Sequence, residues 1–199
     1  TEMFFSDAVR NNRSALNFIS ADYTFINQRL AEHYGIEGVK GTAMRRVSLD
    51  PSTHRGGLLG QASILTVTSY GNHTSVVKRG KWILEQLLGS PPPAPPPNVG
   101  TISEDDQKTT HPTIRKELEA HLRRDDCRAC HARMDPLGFS LENFDPVGRW
   151  RDTLNDQPLD VSARLPDGRT FSGPAELKKI LLTEQDRYGR NLAVKLLSY

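Results

Sequence analysis

Residues 127–131 read Cys-Arg-Ala-Cys-His; they hold both cysteines of the chain, with a histidine directly after the second. Positions i, i+3 and i+4 of a helix share one face, so Cys127, Cys130 and His131 would all point the same way. This is the C-x-x-C-H spacing of covalent c-type haem attachment. In that chemistry the two sulfurs form thioethers to the porphyrin vinyl groups and the imidazole of His131 ligates the iron. The cofactor expected is therefore haem c, covalently held, with its iron. Two other chemistries fit the residue types less well. Structural zinc takes four ligands, usually from two such pairs, and the chain has no second cysteine pair. A thioredoxin-like dithiol expects a strand before the motif, whereas Ile114 to Arg124 reads as a charged helix.

The ligand opposite His131 has to come from elsewhere. Met134 lies one turn past His131 on the same side, and is expected to line the haem edge. No Met or His follows it, which rules out the downstream methionine of small cytochromes c within these residues. The upstream candidates are Met44, His54, His73, His111 and His121, and five-coordinate iron is the alternative. His54 stands beside Gly56-Gly57, where bare backbone permits close approach to haem or to a neighbouring helix. His121 sits on the apolar side of the helix before the motif. Arg149-Trp150-Arg151 is placed to return over the haem edge, where arginine forks suit propionates. The plainer reading makes Trp150 core and the two arginines solvated, with Phe139, Leu141 and Phe144 as packing residues.

The elements that must position these groups read as mainly α: cytochrome-c-like haem helices with a small β-hairpin and a proline-rich linker. Apolar residues at helical spacing predict helices over 1–19, 24–34, 58–68 and 75–88. Gly35 is well placed to end the second, and Val47-Ser48-Leu49 reads as a short strand. Ser90 to Pro97 is a polyproline stretch that acts as a stiff spacer. Pro136 is expected to stop the motif helix near Met134, with a further short helix reaching Phe144. Val161 to Leu165 and Thr170-Phe171 flank a Pro-Asp-Gly-Arg turn as a hairpin. Helices then run over Pro174 to Leu182 and from Arg187 onward. The organisation expected is the end of an upstream helical domain at 1–46, a haem-motif domain at 47–152 with its linker at 90–110, and the start of a hairpin-plus-helices domain at 153–199.

A formal net charge of +2 argues for neither nucleic acid nor an anionic membrane surface as partner, and no apolar run is long enough to span a bilayer. The chain begins with Thr and stops inside a helical pattern, so it reads as an internal piece of a longer protein whose signal sequence lies outside it.

Three blocks carry a family likeness: HRGGLLGQASILTVTS with RGKWILEQLLGSPPPAPPPNV, then CRACHARMDPLGFSLENFDPVGRWRD, then LPDGRTFSGPAELKKILL. Together they resemble the large cytochrome-c-like proteins of planctomycetes, built from consecutive domains of unknown function with a C-x-x-C-H in the penultimate one. The resemblance implies export to the periplasm or cell surface, covalent haem c and electron transfer to a redox partner or to neighbouring domains of the same chain. It carries over only Cys127, Cys130 and His131 as functional residues. Two other functions compete with an electron-transfer module. One is a haem enzyme, peroxidase-like or an electron relay of a dehydrogenase. The other is a non-redox structural or carbohydrate-contact module.

Overall fold

The structure is a computed structural model that describes residues 1–94, 115–116, 118–119 and 125–198. The chain is mainly helical, with small two-stranded antiparallel sheets. The linker expected at 90–110 lies outside the described residues from 95 onward, as does most of the helix expected at 114–124, although Arg115, Lys116, Leu118 and Glu119 are helical.

Helix α1 spans Glu2–Arg10 and buries Phe4 and Ala8. It ends well short of residue 19, because Asn12 turns into the left-handed region (φ 47°) and only a 3₁₀ turn, Ala15–Phe18, follows. The helix expected to begin at residue 24 instead opens with strand β1, Tyr23–Ile26, paired antiparallel to β2, Arg45–Ser48. Tyr-Thr-Phe-Ile is a β-branched and aromatic run that favours a pleated, half-buried surface. Asn27 then caps α2, Gln28–Tyr34, by accepting from the Leu30 amide, and Gly35 closes it in the left-handed conformation.

The predicted helix at 58–68 is split into a 3₁₀ turn, Leu58–Gly60, and α3, Ala62–Val67. Gly60 is pressed against the Arg55 backbone. The one predicted at 75–88 begins as α4, Val76–Trp82, capped by the Ser75 hydroxyl, and widens into a π turn at Ile83–Leu87. There the Leu88 amide bonds the Ile83 carbonyl five residues back. The extra residue keeps Ile83, Leu84, Leu87 and Leu88 all buried.

Helix α5, Asp125–Phe139, contains the cysteine motif and runs straight through Pro136, against the expectation that it would stop near Met134. Proline inside a helix costs about 3 kcal/mol through a lost hydrogen bond and a clash. Burying a residue such as Met134, Leu137 or Phe139 stabilises by roughly 1.5–3 kcal/mol each; all three are buried, so packing outweighs the proline. The separate helix expected to reach Phe144 is a series of turns, with Phe144 bridged to Trp150.

Two hairpins follow: β3 (Thr153–Leu154) with β4 (Gln157–Pro158), and β5 (Ser162–Arg164) with β6 (Thr170–Ser172). Helices α6, Gly173–Thr183, and α7, Gln185–Leu197, complete the described fold. The larger of two core clusters among the described residues draws on Phe4, Ile19 and Tyr23 from the start of the chain, Leu65 and Ile83 from its middle, Met134, Leu137 and Phe144 around α5, and Leu177 and Leu181 from α6, while Val76, Leu118 and Phe139 form a second. Residues from the first ninety thus pack directly against the Met134–Leu137 part of α5. No helix among the described residues is long and apolar enough to cross a membrane.

Candidate functional site

The motif lies in the first two turns of α5, so Cys127, Cys130 and His131 share one helical face. Cys127 is 4% exposed, while Cys130 and His131 are partly open to solvent. No disulfide joins the two cysteines.

His131 is held from below. Its Nδ1 lies 3.0 and 3.1 Å from the two carboxylate oxygens of Asp135, one turn on. Asp135 is itself 2% exposed, which distinguishes this pair from a solvated ion pair on a helix surface. The bond to Asp135 raises the imidazole's pKa, and partial burial opposes the shift. Because the contact uses Nδ1, the other ring nitrogen, Nε2, lies on the opposite edge of the ring. Metal-bound histidines are commonly oriented this way, through a partner on the second nitrogen. Asp135 escaped the sequence reading, although its i+4 spacing from His131 was the available signal.

The far half of α5 is locked to α4. Building a Cβ on Gly80 would drive it into the Met134 carbonyl, and one on Gly138 would meet the Val76 carbonyl. The two helices therefore approach backbone to backbone, glycine facing carbonyl on each side. Met134 packs in this contact, against Gly80.

Beneath the crossing lies a charged node that motif reading did not reveal. Arg79, on α4, is 1% exposed and donates to the carbonyls of Leu141 (2.7 Å), Phe144 (2.8 Å) and Asp145 (3.0 Å). It also pairs with Glu142 at 3.2 Å. Burial pulls its pKa down to about 10, opposed first by the charge of Glu142, so it stays ionised at neutral pH. Glu142 accepts in addition from the Thr74 hydroxyl (2.6 Å) and from Arg151 (3.2 Å). A buried carboxylate between two guanidiniums satisfies the rule that buried charges are paired.

The remaining candidates occupy defined places. His54, with φ 57°, stacks its ring on Trp150, centroids 3.8 Å apart. The Trp150 indole donates to Asp152. Gly56 and Gly57 do permit a close approach, but to the backbone carbonyls of Ala21 and Ile19. Arg151 lies on Glu142 and Thr74. Arg149 is exposed and its Nε faces the His33 Nδ1 at 3.4 Å. His73 stacks on Tyr70, Met44 is exposed, and His111 and His121 lie outside the described residues.

A cavity of about 600 Å³ opens between α2, α3 and the 147–149 turn, lined in part by Leu30, His33, Thr66 and Arg149. A second, of about 450 Å³, runs along β5 and β6 beside Arg115. None of the residues lining either comes from α5. Among the described residues no three His, Cys, Asp or Glu side chains are gathered around a single point where they would share a metal ion.

Two family models match the chain. Residues 1–36 match PSD4, a protein family of unknown function (DUF1592), and residues 55–154 match PSCyt3, a protein family of unknown function (DUF1588). No curated protein and no solved structure matches. The second match covers half of the chain and takes in α3, α4, the whole of α5 and the Arg79–Glu142 node. The chain belongs to the PSCyt3 family (DUF1588).

Proposed function

We propose that the first turns of α5 hold haem c covalently through Cys127 and Cys130, with His131 as axial ligand. The chain is then an electron-transfer module of a larger exported protein, exchanging electrons with a redox partner or a neighbouring domain at the periplasm or cell surface. The observation that carries this reading is the His131–Asp135 pair directly beside two cysteines on one helical face. The donor set fits the group: two sulfurs at i and i+3, and an imidazole whose second nitrogen is already engaged. Haem held there supplies a one-electron ferric/ferrous couple. The protein's own part is to anchor the porphyrin through Cys127 and Cys130, to orient the ring of His131, and to keep α5 rigid through α4. Of the residues proposed for the propionates, Arg149 is the exposed one, whereas Arg151 and Trp150 have partners within the fold. His54 as opposite ligand would have to leave the Trp150 stack.

The test is a pyridine haemochrome spectrum on protein matured with the haem-attachment machinery. A c-type band that survives acid–acetone extraction is expected in the parent and is lost in the Cys127→Ser, Cys130→Ser double variant; a matured parent without the band overturns the reading. A haem enzyme is the second reading, motivated by residues 135–199, which offer no Met or His for the position opposite His131. Rapid cyanide or carbon monoxide binding would favour it, and a six-coordinate spectrum indifferent to both would count against it.

A further inference from the structure

We infer that Asp135 is the positioning residue for the axial histidine: its carboxylate fixes the Nδ1–H tautomer of His131, presents Nε2 to the iron and biases that iron toward the ferric state. The inference rests on the haem reading and deepens it. Three observations carry it. Both oxygens of Asp135 lie within hydrogen-bond distance of Nδ1, at 3.0 and 3.1 Å, so either can accept the ring proton. The carboxylate is 2% exposed, so water does not screen it as it screens a surface pair, and the pair is stronger for it. Asp135 also sits between Met134 and Pro136, next to the Met134 carbonyl that is pressed against Gly80 of α4, so the carboxylate is carried by backbone held against a second helix.

The chemistry follows from charge. A negative group on Nδ1–H pushes electron density into the ring and makes Nε2 a more basic ligand. A more basic ligand stabilises the more highly charged iron, and second-shell hydrogen bonding of this kind is one of the protein's levers on haem potential. A neutral partner at the same place would orient the ring equally well but would not supply the charge. Asp135 therefore does two separable things, orientation and electrostatic bias.

Those two roles can be separated by Asp135→Asn, which keeps size and one acceptor oxygen but removes the charge, and Asp135→Glu, which restores the charge on a longer arm. Both are made in the whole chain, matured with haem, and read by haemochrome yield and midpoint potential. The expected result is unchanged attachment in all three proteins and a higher potential in Asp135→Asn. A tenfold weaker preference for the ferric form corresponds to about 59 mV for one electron. Asp135→Glu should recover part of the shift. Haem attached to Asp135→Asn at an unaltered potential overturns the inference while leaving the haem reading intact; no haemochrome in the parent overturns the haem reading itself. Should the variants not mature, the parent still decides. Ring ¹⁵N shifts of His131 in the haem-free chain, at a pH where the ring is neutral, should show the Nδ1–H tautomer, and an Nε2–H tautomer overturns the inference.

Discussion

The two halves of α5 differ in what holds them. From Met134 to Phe139 the helix is pressed backbone to backbone on α4, with glycine at both crossing points and a buried arginine–glutamate node below. From Cys127 to His131 the side chain of Cys127 is buried, those of Cys130 and His131 are partly open, and the carboxylate of Asp135 reaches back one turn to His131. The fold is therefore anchored by one half, while the other leaves Cys130 and His131 partly open to solvent. A helix gripped at one end stays oriented at the other without using the side chains that would hold a ligand. The continuation through Pro136 makes sense in this light, since a helix stopping at Met134 would uncouple the motif from its anchor.

The largest effect should come from the node. Glu142→Ala leaves Arg79 buried without its countercharge, and a broken buried pair costs about 3–5 kcal/mol; the urea midpoint should fall accordingly, and a loss under about 1 kcal/mol would remove the node from the anchor. Gly80→Ala should come next. The new methyl meets a backbone carbonyl rather than a pliant side chain, so α4 and α5 must separate, at about 3 kcal/mol, the upper end of ordinary overpacking. An unaltered thermal midpoint would show that the crossing is loose and the contrast between the halves overstated.

A pH titration sharpens the same contrast from the other side of the anchor. Lys178 on α6 is 9% exposed and donates to the Arg55 carbonyl at 2.8 Å, and burial pushes its pKa down from 10.5 to about 8. The unfolded chain then binds more protons than the folded one between those values, so this lysine makes stability rise with pH from about 8 and level off near 10.5. The gain should be about 3 kcal/mol; it should be absent in Lys178→Met and appear in full in the difference between parent and variant in parallel denaturation curves. The smallest effect belongs to the motif half. Cys130→Ser should alter stability by no more than about 0.5 kcal/mol, as for surface changes away from special contacts, while reducing covalent haem retention after maturation. A large loss of stability there would show that the motif half also carries the fold.

Much of the local structure was readable along the chain, because each signal needs only near neighbours. Gly35 ends α2 as its conformational freedom requires, the 161–171 hairpin forms around Pro-Asp-Gly-Arg, and α6 runs over Gly173–Thr183 where Pro174 to Leu182 was expected. Two of the errors share one cause. Residue 24 became a strand because Arg45–Ser48 was there to pair with it, and Pro136 stayed helical because α4 rewarded burial of its neighbours. Both are decided by partners far away in sequence, which periodicity does not register.

The site divides along the same line. Residue types and spacing alone put Cys127, Cys130 and His131 on one face, since a helix brings i, i+3 and i+4 together wherever it sits, and the same rule already held Asp135 within reach. Only the tertiary structure decided that Asp135 would be desolvated, that Gly56-Gly57 would admit the backbone of residues 19–21, and that Arg79 would close over Glu142. Burial and charge pairing depend on which surfaces are excluded from water, and that is settled only when α4 and α5 meet.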